Sequence, residues 1–209
     1  MRKRVGILIT TLLLVSSCSS APKKSSVIEM TALEGKRVAL VSIDGEKTAQ
    51  KVVEVALVNQ LVDRGSFILV SKNQIEKAKG AIEQDPSDWL GLAKRAGADY
   101  ALRVRVLHFD AIEQSGYQTE EVLDSQLAEE TGTDGKTERV FKAKALDGKV
   151  QFELKFTEVA NQHTTQGIAE AEERLEANAK TSSIQFPPRL RFLEKLSNQA
   201  FRDFFEKTQ

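Results

Sequence analysis

The first half of the chain alternates short apolar runs with longer amphipathic stretches. Arg37 to Ile43 and Ser66 to Val70 are rich in β-branched and apolar residues and are predicted to be strands. The stretch Lys47 to Arg64 between them is also rich in valine, but its length and the glycine that follows it, Gly65, favour a helix. Ala98 to Phe109 is predicted to be a third strand. This order predicts an α/β fold with a single mixed sheet and helices packed on it.

Two short helices are predicted between the second and third strands. Ser71 is a suitable N-cap for a helix that Gly80 ends. Asp85-Pro86 is predicted to start another helix, because proline is tolerated in the first turn, and Gly97 ends it.

The second half has one clear strand and one clear helix. Asp110 to Gly135 is polar and acidic, which predicts a long excursion from the fold, with Thr137 to Ala145 as a strand after it. Asp147-Gly148 is predicted to be a turn. Lys149 to Val159 alternates apolar and polar residues, as a half-buried strand does, and Gly167 to Glu173 returns as its hairpin partner.

The apolar surface of the helix Lys47 to Arg64 is wider than that of a helix that packs against the sheet on one side only. Besides its main stripe it has a second stripe, made of Val55, Val58 and Val62, which predicts burial on two sides. The amphipathic stretch Leu190 to Lys207 is predicted to dock on the sheet and would suit this second stripe. A subunit contact at the stripe and a membrane-surface position for the last helix are the alternatives.

The N-terminus has the pattern of a lipoprotein signal peptide. A basic segment, Arg2 to Arg4, precedes an apolar run, Val5 to Val15, that is too short to span a bilayer. Val15-Ser16-Ser17-Cys18 then resembles a bacterial lipobox, in which the cysteine is acylated with fatty acids such as palmitate and becomes the new N-terminus. Cys18 is the only cysteine of the chain, and it stands where this chemistry needs it. An ordinary secretory signal is the alternative.

These observations divide the chain into a signal peptide (1–17), a lipidated cysteine with a flexible tether (18–35) and an α/β domain (36–209). Two or more acyl chains give a stable membrane anchor. The residue after Cys18 is Ser19, and not the aspartate that often retains lipoproteins at the inner membrane. By resemblance this favours the outer membrane of a Gram-negative cell, on its periplasmic side. The tether spans about 20–25 Å as a flexible coil, so the domain is expected to stay near the membrane.

Composition excludes several classes of function. The formal net charge is +0, so nothing indicates nucleic-acid binding. The chain has no Ser/His/Asp grouping, no phosphate-binding glycine loop and no cofactor motif, so no enzymatic activity and no cofactor are expected. His108 and His163 are read as ordinary strand-end and turn residues. Five carboxylates of the acidic excursion are read as a solvated face and not as a metal site: Glu120, Glu121, Asp124, Glu129 and Glu130.

The order of the motifs resembles the CsgG/LpoB-like periplasmic lipoprotein superfamily, which also includes the N-terminal domain of TolB. In that group a strand is followed by a helix ending in "L…G.F.vv.r..i", and later by "a…GADY…g.v". The matching positions are Leu61, Gly65, Phe67, Val70, Lys72 and Ile75, then Ala96 to Tyr100 and Val104 to Val106. Lys72 replaces the usual arginine, and Arg103 or Arg105 stands where a glycine is common.

The resemblance implies one of two non-enzymatic functions. The first is an adaptor, regulator or assembly factor that holds an envelope protein while a lipid anchors it to the membrane. The second is a component of an oligomeric secretion channel like CsgG. A membrane-crossing hairpin needs paired strands of about 9–11 alternating residues, and only Lys149 to Val159 alternates well, so the adaptor is favoured. The identity of the partner and the formation of a homo-oligomer stay open. Two candidate interfaces also stay open, namely the second stripe of the first helix and the acidic excursion 110–135.

Overall fold

The computed structural model describes residues 33–65, 67–80, 88–123, 129–130, 132, 134–178 and 185–207. It contains a five-stranded sheet with the strand order β2-β1-β3-β4-β5. β1 is parallel to both β2 and β3, whereas β3, β4 and β5 are antiparallel to their neighbours. The predicted α/β fold with a single mixed sheet is therefore confirmed. The strands are β1 Arg37–Asp44, β2 Ile68–Leu69, β3 Tyr100–Leu123, β4 Lys136–Glu158 and β5 Thr164–Asn178.

In the part of the chain that the structure describes, four helices of eighteen, eight, seven and nineteen residues pack on this sheet: α1 Lys47–Arg64, α2 Lys72–Lys79, α3 Trp89–Arg95 and α4 Arg189–Lys207. α1 ends as predicted at Gly65, whose left-handed backbone (φ 60°) lets its N–H bond to the Val62 carbonyl. Ser71 caps α2 in a reciprocal capping box with Gln74. The predicted helix start at Asp85-Pro86 lies outside the described residues, and α3 is capped by Asp88.

The helices form two layers, one on each face of the sheet. α1 and α4 cover one face, where Phe152 of β4 stacks on Phe201 of α4 with ring centroids 4.9 Å apart. α2 and α3 cover part of the other face, around Ala39 and Ala101. The last helix thus docks on the sheet, as predicted from its apolar stripe.

The acidic excursion predicted for Asp110 to Gly135 is wrong for its first half. β3 continues to Leu123, and its residues pair one by one with β4 as far as Lys136. A strand that buries one face needs apolar residues on that face, so a wholly polar segment is usually a loop. Here both faces of a two-stranded segment meet water, so polar side chains fit it. Residues 124–128 lie outside the described residues.

The turn predicted at Asp147-Gly148 is also wrong, because β4 runs through both residues without a break. Asp147 lies opposite Arg174 of β5 and accepts a hydrogen bond from its guanidinium at 3.1 Å. Gly148 lies under α4, where Phe192 and Leu196 fill the space of a side chain. The glycine therefore marks a close approach of helix and strand.

α4 does not cover the second stripe of α1, so this expectation is wrong. Val55 and Val62 are 61% and 62% exposed, while the main stripe of α1 is buried. The apolar side chains of α4 are directed at the sheet and at the core-facing side of α1 instead.

The chain joins the core before β1 begins. Leu33 is buried in the larger hydrophobic cluster, and its carbonyl accepts a hydrogen bond from the Lys36 N–H at 3.0 Å. Leu33 lies four residues before the first residue of β1, so it enters the core at this end of the sheet.

Candidate functional site

The two ends of the sheet differ. β1 and β3 are parallel and begin together, with Val38 beside Tyr100, at the end where Leu33 enters the core. β1 ends beside Arg105, but β3 continues to Leu123. β5 ends at Asn178, opposite Ala143 of β4. Among the described residues, β3 and β4 therefore extend beyond the other strands as a two-stranded ribbon, away from the end where Leu33 enters the core.

The helical layer ends before the ribbon does. Arg189, the first residue of α4, donates a hydrogen bond to Asp110 at 2.8 Å, which marks where the layer stops along β3. In the part of the chain that the structure describes, no apolar side chain between Ala111 and Ala145 is buried. The segment from Glu113 to Leu123 extends roughly 35 Å at the usual rise of a strand.

Three large apolar side chains are exposed on one face of the ribbon, which we call the ribbon face. Tyr117 is 74%, Leu123 is 76% and Val140 is 64% exposed. They share a face because Tyr117 and Leu123 are an even number of residues apart and Val140 lies opposite Thr119. Exposed apolar residues on a projecting element are typical of protein interaction sites.

Charged side chains lie on both faces of the ribbon, and several are paired. Lys136 forms an ion pair with Glu121 at 2.9 Å, and Lys144 forms one with Glu113 at 2.5 Å. β4 thus places Lys136 beside Glu121, one of the acidic residues that were read as a solvated face. On the opposite face, Glu120 pairs in register with Arg139.

The described residues contain no group of three or more His, Cys, Asp or Glu side chains that could hold a metal ion. Glu129 and Glu130 are exposed, and Asp124 lies outside the described residues. His108 is exposed on β3 opposite Gln151. His163 lies in the turn before β5, where its N–H donates to Asn161 Oδ1 at 2.9 Å. The structure therefore does not bring the two histidines into one site.

Exposed apolar residues also meet between α1 and α4. Val55 of α1 and Leu190 of α4, which is 44% exposed, line a shallow groove with Lys47, Lys51 and Glu194. This groove and the ribbon face are the two surfaces that correspond to the interfaces considered from the sequence, the second stripe of α1 and the segment 110–135.

Sequence reasoning did not single out Tyr117, Leu123 or Val140. Tyr117 stands alone among polar residues, and Leu123 and Val140 each have one apolar neighbour, Val122 and Phe141, so no alternation of apolar and polar residues is visible along either segment. The three side chains share a face because of the β3–β4 register, which places Val140 opposite Thr119, two residues from Tyr117. Cys18, the predicted lipidation site, lies outside the described residues. None of the described helices is both long and apolar enough to cross a bilayer.

Two of the comparisons with known proteins found no match: no family model matches the chain, and no curated protein does. Among solved structures, the LpoB C-terminal domain from Salmonella enterica is similar at 16% identity and a TM-score of 0.40, over 69% of this chain and 96% of that one. Lipoprotein GNA1162 from Neisseria meningitidis is similar at 8% identity and a TM-score of 0.40, over 82% of this chain and 99% of that one.

A PelC dodecamer from Paraburkholderia phytofirmans is similar at 13% identity and a TM-score of 0.38, over 82% of this chain and 86% of that one. LpoB, which belongs to the group that the motifs resemble, is thus among the solved structures to which this chain is similar.

Proposed function

We propose that this protein is a non-enzymatic lipoprotein of the bacterial outer membrane that faces the periplasm and acts as an adaptor, regulator or assembly factor for an envelope machine. The observation that carries the proposal is the ribbon. It projects from the end of the domain opposite to the end where Leu33 enters the core, and it exposes Tyr117, Leu123 and Val140.

The direction of the ribbon fits a protein anchored at its N-terminus. Acylation of Cys18 would hold the tether at the membrane, and the tether would reach the domain at Leu33. The ribbon would then extend away from the membrane into the periplasm. A partner that lies several nanometres from the membrane would be within its reach.

The surface of the ribbon fits a protein partner. Aromatic and aliphatic anchors surrounded by charged residues are the usual composition of a contact between proteins that also exist apart. Tyr117 lies opposite Lys142, so a partner would meet an aromatic ring flanked by a positive charge.

The second candidate is a component of an oligomeric secretion channel. The pairing of β3 with β4 as far as Leu123 and Lys136 supplies the paired strands that the sequence did not indicate, and this favours the channel. The charged residues on both faces of the ribbon, among them Glu121 and Arg139, favour the adaptor.

Site-specific photocrosslinking in living cells tests the adaptor. A photoreactive phenylalanine analogue replaces Tyr117 in one strain and Val62 of α1, which is also exposed, in a control strain. We expect one covalent adduct with a different envelope protein from position 117 and none from position 62. Adducts from position 62 alone would contradict a role of the ribbon in binding.

The mass of the full-length lipidated protein in mild detergent separates the two candidates. Light scattering should give a monomer or dimer for the adaptor. A ring of many copies, with crosslinks at position 117 that join copies of this chain, would favour the channel instead.

A further inference from the structure

Among the described residues, one side of β1 has no neighbouring strand for most of its length. β2 pairs with β1 at two positions, Arg37 with Ile68 and Val38 with Leu69. The Val70 N–H still bonds to the Val38 carbonyl at 2.9 Å, and the chain then turns into α2. From Leu40 to Asp44, β1 has β3 on one side, and the described residues provide no strand on the other.

The open edge has the composition of a strand with two neighbours. Leu40 to Ile43 contains three apolar residues and no charge. Natural edge strands are usually protected by charged side chains, because an unprotected edge can pair with another chain. β5, the opposite edge of this sheet, follows that rule and carries Glu170, Glu172, Arg174 and Glu176. The edge of β1 does not follow it.

Helices border the open edge on both faces of the sheet, and together they form what we call the edge groove. α1 contributes one wall with Gln50, Glu54 and Val58. α2 contributes the other wall with Lys72, Ile75 and Glu76. The open backbone of β1 lies between the walls. A single extended chain can enter such a groove, whereas a sheet flanked by its own helices would collide with the walls.

The charges of the edge groove are balanced within it. Lys72 Nζ lies 2.9 Å from Glu54 Oε1, and this ion pair joins α2 to α1 across the groove. The hydrogen bond from Lys72 to Glu54 raises the pKa of the lysine. Glu76 is paired with Lys79 at 2.9 Å, and this contact lowers the pKa of the glutamate. Because Glu54 and Glu76 are each already paired with a lysine, we expect the groove to favour an uncharged ligand.

We propose that the edge groove binds an extended, uncharged and β-branched segment of a partner protein, which adds to the sheet beside β1. Main-chain hydrogen bonds to β1 would supply affinity, and alternate side chains would contact Val58 on one wall and Ile75 on the other. The pair Lys72–Glu54 is exposed, so it can open at little cost when the segment enters. This site is separate from the ribbon and independent of the function proposed for it.

Two other occupants fit less well. A second copy would have to insert its free edge, β5, but that strand is acidic and has α4 packed on it. Its glutamates would enter a groove whose two lysines, Lys72 and Lys79, are already paired with Glu54 and Glu76. The other occupant would be the chain's own N-terminal segment, but Leu33, where the described chain begins, lies near the end of β1 that β2 covers, away from Leu40 to Asp44.

Peptide selection with a matched pair of variants tests the proposal. Random 12-residue peptides displayed on phage are selected on the full-length lipidated protein, and synthetic copies are measured by fluorescence anisotropy. Val58→Arg places a charge in the edge groove, and Val62→Arg places the same charge on the same helix outside it. We expect V58R to weaken binding at least about tenfold and V62R to change it less than about twofold.

A second measurement on the peptide does not depend on the folding of a variant. N-methylation removes a main-chain donor, so methyl groups on alternate residues that face β1 should each weaken binding about tenfold. Methyl groups on the intervening residues should have little effect. The proposal is overturned if no peptide is enriched, or if binding is insensitive to both V58R and N-methylation. It is also overturned if peptides bind only after residues 19–32 are deleted, since the chain's own segment would then be the occupant.

Discussion

Phe192 of α4 occupies the space above Gly148 of β4 that any side chain at that position would need. A Cβ at residue 148 would also lie 2.8 Å from Leu196 Cδ1, one turn further along the helix. At the other end of α4, Arg64 donates a hydrogen bond to the Phe205 carbonyl at 2.9 Å. The helix is thus held at both ends, and its start defines where the ribbon leaves the domain.

Gly148→Ala should destabilise the domain. The added methyl group would push against Phe192 and Leu196 in a packed core, and such overpacking costs about 1–3 kcal/mol. The free energy of unfolding in urea measures the effect. Gly116→Ala in the ribbon is the matched control, because a Cβ there would meet nothing within 4 Å. Equal stability of the two variants would mean that α4 is free to shift away from the strand.

The outer part of the ribbon should be dispensable for folding. Replacing residues 117–142 by Asn-Gly joins Gly116 to Ala143, which lie opposite each other, through a two-residue hairpin turn. No buried apolar side chain of the described residues is removed, so the melting temperature should stay within a few degrees. The shortened protein should be made at normal levels and yet lose its envelope partner in cells. A large fall in melting temperature would show that the ribbon supports the core.

Cys18→Ala should release the protein from membranes, because it removes the site of acylation. The measurement is the distribution of the protein between the membrane pellet and the soluble periplasmic fraction at high salt. Ser19→Ala next to it keeps the thiol and should leave the protein in the pellet. If the C18A protein still sediments with the outer membrane at high salt, the lipid-anchor account is wrong.

Tyr100→Phe should reduce the loss of stability at alkaline pH. Burial raises the pKa of Tyr100 above its ordinary value of 10.0, and the nearby Glu158 and Asp99 raise it further. The folded state therefore holds this proton more tightly than the unfolded state. The resulting stabilisation is complete below about pH 10 and is lost as the pH rises through the folded-state pKa.

The free energy of unfolding of Y100F, measured from pH 8 to 12, should therefore fall less steeply than that of the parent protein. Tyr117→Phe is the control, since its ring is 74% exposed on the ribbon. The same pH slope for Y100F and the parent would indicate that burial of Tyr100 has no effect on the titration.

The sequence by itself determined the elements whose signals are local. The end of α1 at Gly65 and the cap of α2 at Ser71 depend on residues within one helical turn, so they can be read directly from the chain. The alternation of Val150, Phe152, Leu154 and Phe156 likewise showed which face of β4 is buried. Local signals of this kind were sufficient to predict an α/β fold.

The tertiary structure decided the features that depend on distant neighbours. From the sequence alone Gly148 is predicted to be a turn residue. The structure shows that it is a glycine because Phe192, far along the chain, packs above it. Tyr117 and Val140 become one surface only through the register of β3 with β4. The open edge of β1 depends on where β2 stops pairing, at Leu69. The sequence of Val38 to Ile43 predicts a strand whether or not another strand lies beside it. Burial and strand pairing depend on which distant segment packs against a given one, so they cannot be predicted from the pattern of residues along a single segment.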